Sequence, residues 1–163
     1  SPVLPLLFLA KKNSDRLDFG IPKHCQRFVG SKVSGHLRCM YKPGLLAKEK
    51  TNYRYQLAFD YRSSPPDLEE QLFSGAVIFR AKTRFSEWFT ENLEPYQHYI
   101  PIDERCEQIF DAMEWCKNNP GQINQIALRA QNFADQQLND QQMFTYLHKL
   151  ICSYAEKLGE SND

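Results

Sequence analysis

The spacing of apolar residues passes along the chain from alternation, through short continuous runs, to helical stripes. Residues 5–11 are apolar, and Lys11-Lys12-Asn13-Ser14-Asp15 breaks the run. Leu17, Phe19 and Ile21 alternate and stop at Pro22, which predicts a short strand. Residues 23–39 show no period, and Gly30 and Gly35 mark a loop. Pro43 opens a short helix to Lys50. Tyr53, Tyr55, Leu57 and Phe59 then lie on one face of a strand, with Arg54, Gln56 and Ala58 on the other. Arg62-Ser63-Ser64-Pro65-Pro66 predicts a turn, residues 67–73 a helix, and Gly75 its end. Ala76 to Phe79 is a continuous apolar run of the kind buried in parallel sheets.

Beyond it, Ser86 is placed to cap a helix over 87–94, which Pro95 ends, and 98–102 predicts another short strand. Asp103 is placed to cap a helix carrying Cys106, Ile109, Phe110 and Met113 on one face. Asn119 and Pro120 read as the N-cap and first residue of a helix. Its stripe is Ile123, Ile126, Ala127, Ala130, Phe133 and Ala134, and the surrounding glutamines form a solvated face. Asn139 with Gln142 resembles a capping box, and the last helix carries Met143, Leu147, Leu150, Ile151 and Tyr154. Strand and helix alternate from about residue 15 to residue 117. The pattern predicts an α/β fold with a parallel sheet, helices on both faces and a helical C-terminus. Ligands of such sheets bind outside the carboxyl ends of the strands. The segments 60–66, 80–87 and 101–105 should therefore share one rim, each leading into a helix N-terminus that favours anions.

Composition narrows the function. The 163 residues are 42% apolar and 25% charged, which is globular and long enough for a real core. Twenty basic residues balance twenty acidic ones, so nucleic acid and anionic membrane are not expected as the main partner. No apolar run reaches the roughly 18 residues of a membrane span. The opening Ser1 to Lys12 has two prolines and no basic leader, so it does not read as a signal peptide; the missing Met implies a chain trimmed from something longer. Five cysteines without a CxxC favour scattered thiols in a reducing compartment, the cytoplasm. No GxGxxG, GxxxxGK[ST] or GxSxG is present. His24-Cys25 with His36 and Cys39 matches no common zinc spacing, so no metal is expected. His148 sits beside apolar helical positions and reads as structural. His98, opening a strand, reads either as a hydrogen-bonded structural histidine or as a ligand contact.

In chain order, Asn52-Tyr-Arg-Tyr-Gln-Leu-Ala-Phe-Asp60, then Leu72-Phe-Ser-Gly-Ala-Val-Ile-Phe-Arg80, then Glu87-Trp-Phe with Pro95-Tyr-Gln-His-Tyr-Ile-Pro101, then Met113-Glu-Trp-Cys-Lys-Asn-Asn-Pro120 and Arg129-Ala-Gln-Asn-Phe-Ala-Asp-Gln-Gln-Leu138, resemble glycosyltransferase family 90. That family includes capsule-associated and lipopolysaccharide-modifying proteins and protein O-glucosyl- and O-xylosyltransferases. Leu17-Asp-Phe-Gly20 resembles its L-D-x-G segment. The resemblance implies a GT-B architecture of two Rossmann-like halves. This chain would be a single, incomplete domain over 1–163, the half that binds the nucleotide-sugar donor. The acceptor-binding half, with the carboxylate that activates the acceptor hydroxyl, would be absent and supplied by a missing N-terminal half or partner chain. The implied activity is transfer of a glucose- or xylose-type sugar from a UDP-sugar to a hydroxyl of a glycan or protein. The UDP-sugar is a substrate and no cofactor is implied. For the protein glycosylating members, the endoplasmic reticulum lumen is the alternative compartment.

The resemblance carries donor-side roles to Asp60, Ser63, Ser64, Arg80, Glu87 and His98, and no catalytic role to any residue here. Asp60 and the serines would hold ribose or sugar hydroxyls, Arg80 would approach the diphosphate, and Glu87 would accept from ribose hydroxyls. The family's S-x-R falls on Pro65 and Asp67, which inverts a charge expected to clamp the diphosphate. Asp67, Glu69 and Glu70 instead suit the first turn of their own helix. The alternative function is therefore a diverged, non-catalytic member that acts as a binding or scaffold domain. A free-standing flavodoxin-like domain would need a phosphate loop that the sequence lacks.

Overall fold

The computed structural model describes residues 3–19, 21–22, 41–42, 47–60 and 64–160. The proposed loop over 23–39, both His-Cys pairs and Ser63 lie outside these residues. The elements in order are α1 (Val3–Lys12), β1 (Ile21–Pro22), β2 (Tyr41–Lys42), α2 (Ala47–Lys50), β3 (Tyr55–Ala58), α3 (Leu68–Phe73), β4 (Val77–Ala81), a 3-10 turn (Thr90–Asn92), β5 (Ile100–Ile102), α4 (Ile109–Asn118), α5 (Pro120–Gln137) and α6 (Asp140–Glu160). β1 and β2 form a parallel pair of their own, while β3, β4 and β5 form a parallel sheet in that order. The result is the expected α/β architecture of a Rossmann-like half, with helices on both sheet faces and a helical C-terminus.

β4 is central and all five of its residues are buried, as its unbroken apolar run requires. Val77, Phe79 and Ala81 point into one cluster with Leu6 of α1 and Ile109 and Cys116 of α4. Ile78 points into the other, with Leu68 and Leu72 of α3 and Ala58 of β3. Tyr55, Leu57 and Phe59 pack against the first cluster, so β3 keeps the face assignment its alternation predicts. Tyr55 stacks on Phe79 of the neighbouring strand at 5.5 Å between ring centroids. The apolar run at 5–11 lies in α1, whose Leu6, Leu7 and Ala10 are buried.

α5 joins the two faces. Ile123 and Ile126 belong to the first cluster, while Ala130, Phe133 and Ala134 belong to the second. The helix therefore crosses beneath the amino ends of the strands. There Arg54 Nη2 donates to Asn124 Oδ1 at 3.5 Å, and Gln131 Nε2 donates to the Phe73 carbonyl at 3.3 Å. The carboxyl ends of the strands stay uncovered by it.

Two helix starts differ from expectation. Residues 87–94 form only the 3-10 turn, not a helix capped by Ser86. The Thr90 hydroxyl accepts the Glu87 N–H at 2.9 Å and donates to the Glu87 carbonyl at 3.0 Å, closing the turn locally. Ser86 Oγ bonds Thr90 Oγ1 rather than a backbone amide, and Leu93 turns extended and enters the second cluster. Asp103 does not cap α4 directly either. Its two oxygens accept the N–H groups of Arg105 and Gln108, at 3.0 and 2.9 Å, and hold the turn that leads to Ile109. Cys106 sits in that turn at φ 60°.

Candidate functional site

The parallel register brings the rim segments together. Ala58, Arg80 and Pro101 are cross-strand partners. Asp60 follows β3, Thr83 follows β4 and Asp103 follows β5, so all three lie beyond the carboxyl ends. A cavity of about 550 Å³ opens there, walled by Arg80, Lys82 and Thr83 on the β4 side and by Tyr99, Asp103 and Gln108 on the β5 side.

Arg80 dominates this cavity. Its side chain stands on the face opposite Phe79, over the Tyr99 ring at 5.1 Å. Arg80 is 8% exposed, and among the described residues its Nε has no hydrogen-bond partner. A buried guanidinium always carries its charge. Leaving one of its donors unmet costs more than leaving a neutral amide unmet. The Tyr99 face offsets part of that, by about 0.5–2 kcal/mol for a cation over an aromatic ring. An anion in the cavity would complete the coordination. Lys82 adds a second positive charge to the wall. The carboxylate of Asp103 is engaged by two backbone amides.

Asp60, Ser64 and Glu87 form a brace beside the cavity and do not line it. Asp60 Oδ1 accepts the Thr83 hydroxyl at 2.5 Å and Oδ2 accepts the Arg84 N–H at 2.9 Å. The Ser64 hydroxyl donates to Glu87 Oε1. These bonds tie the loop after β3 to the loop after β4 and fix Thr83 on the cavity wall. Asp67 pairs with Lys50 at 2.9 Å; Lys50 also reaches Glu70 at 3.2 Å. Burial alone would lower the Lys50 pKa, but the two carboxylates outweigh it and raise it.

His98 lies elsewhere. It precedes β5 and lines a second cavity of about 420 Å³ with residues of α5. Its Nδ1 accepts the Glu94 N–H at 3.0 Å, and its ring meets Phe133 at 5.1 Å. Burial holds its pKa below the ordinary 6.5, assisted by the Arg129 charge and opposed by Glu94. Tyr96, Tyr99 and Gln108 line the cavity but lie outside the three rim segments that the sequence predicts. The available signal was register: Tyr99 lies two positions before Pro101, and Pro101 pairs with Arg80, so both side chains share Arg80's face. Among the described residues no group of three or more His, Cys, Asp or Glu could hold a metal ion. Nor is any described helix long and apolar enough to cross a membrane.

An open parallel sheet with a cationic cavity past its carboxyl ends belongs to the class of α/β proteins that take ligands at that edge. The chain belongs to glycosyltransferase family 90: the sequence pattern described as Glycosyl transferase family 90 matches residues 27–161. It is 32% identical over 158 residues to Protein O-glucosyltransferase 2 of Danio rerio, covering 94% of this chain and 30% of that protein. It is 25% identical over 154 residues to Protein O-glucosyltransferase 3 of Homo sapiens, covering 94% of this chain and 29% of that protein. Against human Protein O-glucosyltransferase 1 the identity is 24% over 158 residues, covering 95% of this chain and 39% of that protein. The chain thus spans between 29% and 39% of the length of these relatives.

Proposed function

We propose that this chain is the donor-binding half of a GT-B glycosyltransferase that moves a sugar from a UDP-sugar to a protein hydroxyl. The observation that carries the reading is Arg80, buried in the cavity wall with a donor that meets no partner among the described residues. The diphosphate would sit against Arg80 and Lys82 beyond β4. Asp60, Ser64 and Glu87 act through the loops they join, holding Thr83 and Arg84 in place. The relatives' names supply the protein acceptor, and for such an enzyme the endoplasmic reticulum lumen is the fitting compartment. The carboxylate that activates the acceptor would come from the part of the relatives' length that this chain does not span.

Calorimetric titration of UDP tests the donor site. Hydrogen bonds to a charged group contribute about 1.5–3 kcal/mol, so Arg80→Met should weaken UDP binding by roughly 10- to 150-fold. Equal affinity of wild type and variant would remove Arg80 from the site. A second reading, a non-catalytic binding domain, is favoured by one observation: Asp67 is committed to Lys50, so the motif's clamp position offers the diphosphate no cation. Failure of the wild-type chain to bind UDP at all would select that reading.

A further inference from the structure

The second cavity has a chemistry of its own. Among the described residues it shares no lining residue with the cavity around Arg80. One wall is a face of α5, where Arg129, Asn132 and Gln136 recur at helical spacing. Asn92 from the 3-10 turn and His98 face it, and Phe133 forms part of the floor, 9% exposed. Among the described residues no carboxylate lines it. The four primary amides of Asn92, Asn132, Gln136 and Gln137 therefore bring eight N–H donors and four carbonyl acceptors to one concave surface. Because the His98 Nδ1 accepts the Glu94 amide, the neutral ring carries its hydrogen on Nε2 and adds a further donor.

We propose that this cavity is a separate binding site for an uncharged, hydroxyl-rich ligand, a sugar unit of a glycan. Each hydroxyl of a sugar both donates and accepts, and a primary amide meets a pair of them with one donor and one acceptor. Phe133 and His98, with ring centroids 5.1 Å apart, both line the cavity and offer an apolar surface to the C–H face of a pyranose. A nucleotide or phosphate fits less well, since among the described residues Arg129 is the only fixed positive charge in the lining. An apolar ligand would strand the amides without partners. The volume of about 420 Å³ lies within the ordinary range of roughly 300–1,000 Å³ for small-ligand sites. The inference does not depend on the donor site.

The test is calorimetric titration of the full-length protein with methyl β-glucoside, maltotriose and chitotriose, with and without saturating UDP. At least one probe should bind, with the same affinity whether or not UDP is present. Asn132→Ala combined with Gln136→Ala should weaken it by about tenfold or more, and Asn132→Trp should abolish it by filling the cavity. Both positions are exposed, so the variants should keep the wild-type unfolding midpoint and UDP affinity. Absence of binding by all three probes would overturn the proposal. So would competition with UDP, or an affinity that the cavity variants leave unchanged.

Discussion

At the scale of single residues, burial decides which groups are reactive. Burial and the Asp103 charge push the Cys106 thiol up to about 12. Burial pushes Cys116 up to about 11 against the opposing charge of Arg54. Since the thiolate is the nucleophile, alkylation of the native protein near pH 8 should label the exposed Cys152 well before either; peptide mass spectrometry reads the order, and early labelling of Cys106 would contradict the burial. His98 gives a pH dependence. Its folded pKa lies below 6.5, so the unfolded chain takes up that proton first as pH falls. Its contribution to stability is complete above about pH 6.5 and declines below it toward the folded value. Denaturant midpoints measured from about pH 7.5 down to 5 should fall, and His98→Phe should reduce that slope. The roles of Asp60 and Glu87 were only partly visible in the sequence. Periodicity places both at the rim, but only the fold shows their oxygens engaged by Thr83, Arg84 and Ser64.

At the scale of elements, strong periods were legible and local side-chain competition was not. The α5 stripe appears as expected because an 18-residue amphipathic pattern with Pro at its start leaves few alternatives. The 87–94 segment fails as a helix because Thr90 bonds back to Glu87. A hydroxyl competing with the backbone in this way leaves no trace in apolar spacing. Gly75 shows a case where one residue decides an element's end. It adopts φ 73°, the left-handed region, where α3 turns into β4. Among the described residues a Cβ there would approach only Gln131 Oε1, at 3.9 Å. The cost of Gly75→Ala is therefore backbone strain alone, about 1–2 kcal/mol. Equilibrium urea unfolding should show that loss with an unchanged m-value. A neutral result would mean that the turn relaxes out of the left-handed region.

At the scale of the whole molecule, alternating strands and helices were enough to predict a parallel sheet and the edge that carries the cavity. They could not reveal that α5 crosses under the strands, because Ile123 and Phe133 lie on one sequence stripe yet enter different clusters. Nor does a stripe disclose whether it is covered. Met143, Leu147, Leu150, Ile151, Tyr154 and Leu158 repeat on one side of α6, and all are exposed, from 42% for Met143 to 65% for Tyr154. Among the contacts of α6 with the rest of the fold, the Tyr146 ring lies 5.8 Å from Trp88. Full burial of such side chains is worth about 1.5–3 kcal/mol each, so the 163-residue chain on its own should associate with increasing concentration. None of the six belongs to either core cluster. A chain ending at Asn139 keeps Leu138, which packs on the second cluster. It should therefore lose the association seen by sedimentation equilibrium while its urea midpoint stays close to that of the 163-residue chain at the dilution where that chain is monomeric. A collapse of the midpoint would instead make α6 part of the cooperative core, despite its exposed stripe.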